Sequence, residues 1–126
     1  MDYKLLHFTP HSDERGSLIA IQHDDEIPFL VKRMYAVYNV PPNARRGYHA
    51  HKHLHQVCVC ISGSCKMFIK DKNESHVIVL DSPETGLYLG NNIWREMFDF
   101  SENAVLIVLA SEPYDADDYI RNFDEL

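Results

Sequence analysis

The sequence lacks the features that mark several large classes of protein. It has no CxxC pair, and its three cysteines, an odd number, argue against a disulfide scaffold. Its apolar runs fall well short of the ~20 residues that a membrane-spanning helix needs. Residues 1–10 also contain no long apolar segment of the kind found in signal peptides. We therefore expect a cytoplasmic protein with no membrane partner.

Positive charge is scarce as well. The chain has 12 basic and 19 acidic residues, and its formal net charge is −7 with histidine neutral. Such a surface repels a phosphate polymer, so we expect no nucleic-acid partner, although a few local cations are enough to hold a small anion. The length of 126 residues and the hydrophobic content of 45% predict one globular domain over residues 1–126.

Short runs of alternating polar and apolar residues dominate the chain, and helical periodicity is almost absent. Polar turns separate these runs, which is typical of an antiparallel β-sandwich or barrel. Cys58 and Cys60 lie two apart in one run, so we expect both to be small buried residues on one strand face. The acidic tail, residues 114–126, is predicted to form a short helix or turn. The predicted strands are 17–22, 31–38, 56–61, 66–70, 76–80, 94–100 and 104–109.

Four of the eight histidines fall within seven residues. Alternate residues of a strand point to the same side, so we expect His49 and His51 to project together from one face. Two adjacent imidazoles suit either a metal or proton transfer, because a free imidazole has a pKa of about 6.5. For His53 and His55 we favour ordinary surface positions.

Arginine and aromatic side chains near the predicted strands offer a way to hold a small anionic ligand. Arg33 and Arg46 lie on or beside strands, and the arginine fork binds pairs of phosphate oxygens. Trp94 is one of several aromatic residues that suit stacking on a base or sugar. For any single tyrosine, a place in the core is the simpler interpretation.

The segment around the histidine pair resembles the first motif of the cupin superfamily. Gly47, His49, His51 and Gly63 match that motif, whereas Gln56 stands where a metal-binding cupin has glutamate. The resemblance implies an all-β fold, a cupin-type antiparallel β-barrel or jelly roll.

A second departure from the cupin pattern concerns the third histidine ligand of the metal. Arg95 stands at that position, and an arginine side chain stays positively charged in a protein. Its charge opposes a divalent cation, and Gln56 supplies no compensating carboxylate. We therefore predict no bound metal, while His53 and His55 leave replacement ligands open as an alternative.

Blocks of residues along nearly the whole chain resemble the dTDP-4-keto-6-deoxyglucose 3,4-ketoisomerases, a family of small cupins. Each block is weak evidence alone, but their order and spacing together are specific. The blocks are 15–18, 27–29, 32–33, 46–51, 56–57, 63–65, 80–83, 86–88, 94–97, 109–111 and 118–121.

This resemblance implies an isomerase that moves a ketone from carbon 4 to carbon 3 of a dTDP-linked 6-deoxyhexose. The implied route passes through an enediol or enediolate and needs no organic cofactor. The implied product is a 3-keto sugar used to make amino sugars of surface polysaccharide. Members of the family form dimers with exchanged strands, so we expect a homodimer, with the N-terminal strand at 3–8 as the candidate for exchange.

The resemblance also implies roles for individual residues. His49 is the expected main acid–base residue, supported by His51 and Tyr35. Arg95 is expected against the sugar oxygens. Arg15 and Arg95 match different branches of the family, so the galacto or gluco configuration of the product is left open. The full set of expected substrate-binding residues is Arg15, Arg33, Arg46, Trp94 and Arg95.

Three alternatives to the ketoisomerase remain at this point. A cupin similar to dTDP-sugar 3,5-epimerases would also use a histidine base. A metal-dependent cupin enzyme would use the histidine pair as ligands. A non-catalytic nucleotide-sugar binding module would bind the same ligand without turning it over.

Overall fold

The computed structural model describes residues 1–23 and 26–126. In this part of the chain, no helix is long and apolar enough to cross a membrane. The alternating runs form short strands, with a 3₁₀ turn at Ala116–Asp118 and another at Phe123–Glu125. The strands are β1 (Tyr3–His7), β2 (His11–Asp13), β3 (Gly16–Leu18), β4 (Arg33–Tyr38), β5 (Arg46–His51), β6 (Gln56–Ser62), β7 (Cys65–Lys70), β8 (Ser75–Leu80), β9 (Thr85–Leu89), β10 (Trp94–Phe98), β11 (Val105–Ala110) and β12 (Tyr119–Ile120).

Two five-stranded antiparallel sheets make up most of the fold. The first sheet has the strand order β1-β9-β6-β11-β4, and the second has the order β12-β5-β10-β7-β8. Strands β2 and β3 form a separate hairpin. In both sheets, strands that are far apart in sequence lie next to each other, as in a jelly roll. The predicted all-β, cupin-type fold is therefore confirmed.

The main core lies between the inner faces of the two sheets. Along β7, Cys65, Met67 and Ile69 are 0–1% exposed, and the residues between them are half-buried. Cys58 and Cys60 of β6 belong to the same buried cluster, and the three cysteines are free thiols. The prediction that Cys58 and Cys60 are small buried residues is therefore confirmed.

The outer face of each sheet is covered by a different segment of the chain. On the first sheet, Val57 and Val59 pack with apolar residues at 19–21 and 27–31, among them Ile27 and Phe29. On the second sheet, Trp94 and Ala50 pack with Ile120, Phe123 and Leu126 near the C-terminus. The C-terminal segment is thereby tied to β5 and β10, the two strands that matter most for the site.

Most predicted strands agree with β4, β6, β7, β8, β10 and β11 within a few residues, with two kinds of exception. The strand predicted over 17–22 ends early, since β3 stops at Leu18. Strand β9 (Thr85–Leu89) was not predicted, because Gly86 interrupts its pattern and both of its faces are buried. The acidic tail contains the expected short turns and also the short strand β12.

A β-bulge interrupts the pairing of β5 with β10. Arg95 pairs with His49 and Glu96 pairs with Gly47, which leaves Tyr48 as the extra residue. The backbone has positive φ at both Gly47 (95°) and Tyr48 (58°). A Cβ atom on Gly47 would lie 2.7 Å from the carbonyl oxygen of Arg95, so only glycine fits against β10 at this point.

Gly47→Ala is expected to destabilise the protein more than Gly16→Ala. Gly16 also has positive φ, 127°, but a Cβ atom added there would meet nothing within 4 Å. Gly16→Ala should therefore cost backbone strain alone, about 1–3 kcal/mol. Gly47→Ala adds the steric overlap with β10, about 1–3 kcal/mol more. Denaturant unfolding of both variants measures the difference in the free energy of unfolding. An equal loss of stability in the two variants would show that the contact of residue 47 with β10 does not require glycine.

Candidate active site

The histidine pair lies inside the barrel. His49 and His51 are 9% and 1% exposed, as expected for two inward-facing positions on β5. Their rings meet edge to face, with the ring centroids 4.9 Å apart. Ala50 lies between them in sequence and packs on the opposite face of the sheet.

A fully buried arginine stands beside the pair. Arg95 of β10 is 1% exposed and is the cross-strand neighbour of His49. Its Nη1 donates to Oε1 of Gln56, and its Nε and Nη2 donate to the carbonyl oxygen of Ile93 at 3.2 and 2.9 Å. Among the ion pairs of the described residues, none involves Arg95. The guanidinium is therefore held by neutral acceptors, and its charge is left for a ligand.

Tyr35 and Arg33 extend this polar region along β4. Nε2 of Gln56 donates to the Tyr35 hydroxyl at 3.2 Å, so Gln56 links the phenol to Arg95. Burial raises the pKa of Tyr35, and the phenol is therefore neutral at physiological pH. The guanidinium of Arg33 lies 4.8 Å from the centre of the Tyr35 ring and 5.4 Å from that of Tyr114.

Burial and the positive charge of Arg95 both keep the imidazoles neutral. Burial, followed by the charge of Arg95, lowers the pKa of His49 to about 4. The same two causes, in the same order, lower the pKa of His51, while its hydrogen bond to Asp118 acts in the opposite direction. At neutral pH each ring therefore has one nitrogen free to accept a proton.

The C-terminal segment closes over the pair. Strand β12 pairs with β5, with Tyr119 opposite His51. The Tyr119 ring centroid lies 4.9 Å from that of His49 and 4.5 Å from that of His51. The Asp118 carboxylate contacts Nδ1 of His51 at 3.1 Å. Sequence reasoning did not single out Asp118 or Tyr119, and their only signal was the matching block at 118–121.

Three of the expected substrate-binding residues lie apart from this cluster. Arg15 is on the exposed β2–β3 hairpin, with a side chain 83% exposed and paired with Asp13. Arg46 is exposed at the start of β5. Trp94 packs against Phe123 on the outer face of the second sheet, because neighbouring residues of a strand point to opposite faces and Arg95 points inward. Trp94 is thus part of the small buried cluster on that face, and its expected role in substrate binding stays a prediction.

The other two histidines of the cluster lie in the turn between β5 and β6. His53 is exposed, as expected. His55 is instead half-buried, and its Nδ1 lies 2.6 Å from the Tyr88 hydroxyl. Across residues 1–23 and 26–126, no three His, Cys, Asp or Glu side chains converge in a geometry that could hold a metal ion.

The arrangement combines two neutral bases, a neutral phenol and a buried cation. Such a set suits the removal of a proton from a carbon next to a carbonyl group, because the imidazole takes the proton while the cation stabilises the enolate oxygen. Inside the barrel the charge of Arg95 acts at low dielectric and is poorly screened.

The chain is similar to known proteins over nearly its whole length. A family model described as FdtA: WxcM-like, C-terminal matches residues 1–126. The chain is 48% identical over 124 residues, 98% of its length and 89% of the other, to a TDP-4-oxo-6-deoxy-alpha-D-glucose-3,4-oxoisomerase of Aneurinibacillus thermoaerophilus.

Two solved structures are also very similar. One is a histidine-to-asparagine variant of the 3,4-ketoisomerase QdtA from Thermoanaerobacterium thermosaccharolyticum in complex with TDP-4-keto-6-deoxyglucose, with 47% identity over 98% of this chain and 90% of that chain and a TM-score of 0.96. The other is the TDP-quinovose 3,4-ketoisomerase WlaRB of Campylobacter jejuni, with 48% identity over 98% of this chain and 95% of that chain and a TM-score of 0.95.

Acidification is expected to destabilise the protein through His49. The unfolded-state pKa is about 6.5 and the folded-state pKa is about 4, so between these values the unfolded chain binds more protons. The contribution of neutral His49 to the free energy of unfolding is therefore fully present above about pH 6.5. It is lost as the pH falls towards 4, and the loss amounts to at most about 3 kcal/mol.

Denaturant unfolding of the wild type, His49→Asn and His53→Asn as a function of pH tests this. His49→Asn should make the dependence between pH 6.5 and 4 shallower, with the part due to His51 retained, whereas the exposed His53→Asn serves as the control with the wild-type dependence. Equal slopes in the wild type and His49→Asn would show that His49 is not held neutral by the fold.

Proposed function

The chain belongs to the FdtA family (WxcM-like, C-terminal), and from this we propose that it is an isomerase, a TDP-sugar 3,4-ketoisomerase acting on TDP-4-keto-6-deoxyglucose. TDP and dTDP denote the same thymidine nucleotide. The observation that carries the proposal is the pair of neutral imidazoles beside a buried guanidinium that has no carboxylate partner among the described residues.

The proposed reaction is a series of proton transfers at two neighbouring carbons and their oxygens. The ketone at carbon 4 acidifies the hydrogen on carbon 3, and His49 removes it. The carbon 4 oxygen gains a proton, which gives an enediol, or it stays negative as an enediolate. A proton is then added to carbon 4 and another leaves the carbon 3 oxygen. On the enediolate route the carbon 4 oxygen takes up a proton in this step, so both routes end with a ketone at carbon 3 and a hydroxyl at carbon 4. Oxidation at carbon 3 balances reduction at carbon 4, so no redox cofactor is needed.

Arg95 supplies the electrostatic part of this mechanism. Its guanidinium is fixed by Gln56 and by the Ile93 carbonyl before substrate arrives, so little reorganisation is needed when negative charge develops on the enediolate oxygen. Tyr35, held neutral by burial and bonded to Gln56, is positioned as a proton donor for the same oxygens. His51 is the second acid–base group.

We propose that the diphosphate group of the nucleotide sugar binds near Arg33. This guanidinium stacks on Tyr35 and Tyr114, and no carboxylate is paired with it among the described residues. An arginine of this kind is free to bind pyrophosphate oxygens in pairs. We do not include Arg46 and Trp94 among the proposed diphosphate contacts, because Arg46 is exposed at the start of β5 and Trp94 packs on the outer face of the second sheet.

We also propose that the working form is a homodimer, located in the cytoplasm and supplying 3-keto sugars for surface polysaccharide. The N-terminal strand at 3–8 stays a predicted candidate for exchange, and in the single chain β1 pairs with β9. The β2–β3 hairpin is the better candidate, because its six strand residues are all exposed and Leu18 is 59% exposed. Arg15, on that hairpin, is proposed to bind substrate only in the dimer.

Proton NMR of the protein with TDP-4-keto-6-deoxyglucose in D₂O tests the reaction directly. We expect the carbon 3 hydrogen signal to disappear as a 3-keto species accumulates, and the couplings of that species assign its carbon 4 configuration. Exchange at carbons 3 and 5 without movement of the ketone would favour the epimerase-like alternative. No change would overturn the proposal and favour a binding module or, after metal analysis, a metal-dependent enzyme.

His49→Asn is expected to reduce kcat by about 10²–10⁴-fold while TDP affinity is retained, because the variant loses the base but not the diphosphate contacts. His53→Asn is the matched control, since it removes an exposed histidine of the same cluster. Progress curves and TDP titrations measure the two effects. Full activity in His49→Asn would show that another group is the base.

Light scattering after size-exclusion chromatography tests the dimer. We expect a mass of twice 14.6 kDa for the wild type. Leu18→Asp should shift the protein towards the monomer by placing a charge in the interface. Val77→Asp, on the exposed face of β8 where the side chain is 54% exposed, should not. A monomeric wild type would contradict the proposal.

A further inference from the structure

Asp118 is a buried carboxylate with an unusual set of partners. It is 8% exposed and is the last residue of the 3₁₀ turn that leads into β12. Its Oδ1 accepts from the backbone N–H of His53 at 2.8 Å, and its Oδ2 accepts from the backbone N–H of Leu54 at 3.3 Å. Oδ2 also lies 3.1 Å from Nδ1 of His51.

These partners determine which nitrogen of His51 carries the proton. Both oxygens of Asp118 already accept backbone N–H groups, so the carboxylate acts as an acceptor on each side. Nδ1 of His51 must therefore be the donor in the contact with Oδ2. Burial and the charge of Arg95 lower the pKa of His51 and keep the ring neutral, and a neutral imidazole has only one N–H. Nε2 is consequently left with a free lone pair.

The structure leaves that lone pair without a partner. Nε2 of His51 is buried and is the one buried side-chain nitrogen or oxygen of the described residues that has no hydrogen-bond partner. Leaving a buried polar atom unpaired is costly, so such an atom is retained where a ligand completes its bonding. Because the atom is an acceptor, the ligand group that completes it is a donor, such as a sugar hydroxyl.

We propose that Asp118 is a positioning residue that holds His51 as its Nδ1–H tautomer, so that Nε2 accepts a proton or hydrogen bond from a hydroxyl of the bound sugar. The identity of the sugar hydroxyl rests on the proposed function, but the tautomer does not. Asp118 contacts the reaction only through His51, 67 residues away in sequence.

Nitrogen-15 NMR of the ligand-free wild type tests the tautomer without any assay of activity. The imidazole shifts distinguish a protonated from an unprotonated ring nitrogen, and the resonance lost in His51→Asn identifies His51 among the eight histidines. We expect Nδ1 protonated and Nε2 unprotonated at neutral pH. An Nε2–H tautomer or an imidazolium would overturn the proposal, even if ketoisomerase activity were confirmed.

Asp118→Asn tests the consequence for catalysis. Its amide can turn an NH₂ group towards Nδ1 of His51, which moves the ring proton to Nε2. We expect kcat to fall by at least ~10²-fold, with little change in KM, together with the change of tautomer in the NMR spectrum. Asp117→Asn is the control, because Asp117 is the exposed neighbouring carboxylate and its backbone, not its side chain, makes its hydrogen bonds to Lys52 and Asp115.

The variant also separates positioning from a purely structural role. Loss of the bonds to His53 and Leu54 lowers stability in either case. A variant that melts at lower temperature yet keeps the Nδ1–H tautomer and the wild-type kcat would overturn the proposal. If Asp118→Asn does not fold, the nitrogen-15 NMR measurement of the wild-type His51 tautomer still tests the proposal. If the wild type shows no ketone migration, the proposed function fails while the tautomer measurement stands.

Discussion

The buried guanidinium of Arg95 is the constraint around which the site is built. Removing a charge from water costs several kcal/mol unless other groups replace its hydration. Here Gln56 and the Ile93 carbonyl accept hydrogen bonds from the guanidinium, while none of the described carboxylates forms an ion pair with it. The glutamine at position 56 is essential to this balance: a carboxylate there would pair with Arg95 and cancel the charge available to an anionic intermediate.

The position of Arg95 relative to the histidines depends on local backbone geometry. The bulge at Gly47 and Tyr48 changes the register of β5 against β10, so that His49 pairs with Arg95. Without the extra residue, the alternation of β5 would be shifted by one and each side chain beyond that point would change faces. Holding Tyr48 at positive φ costs about 1–3 kcal/mol, and the cross-strand bonds on both sides of the bulge maintain that conformation.

Features that depend on local sequence could be predicted, whereas those that depend on contacts between distant residues could not. Strands β4, β6, β7 and β11 were predicted because alternation is a local signal, and the placement of His49 and His51 on one face follows from it. The contact between His51 and Asp118 spans 67 residues, and no local pattern encodes it. Trp94 shows a further limit, since two adjacent residues of suitable chemistry cannot both face the pocket, and only the register decides that Arg95 does.

Burial is the shared cause that gives the ionisable groups their different protonation states. It lowers the pKa of His49 and raises that of Tyr35, so the imidazole loses its proton and the phenol keeps its own. Burial also lowers the pKa of Arg95, but arginine remains charged because its intrinsic pKa is too high for burial to neutralise it. One buried site thus holds proton acceptors, a proton donor and a cation together at neutral pH. An isomerisation removes protons and returns them, so its site needs proton acceptors and a proton donor at the same pH. Burial provides both here.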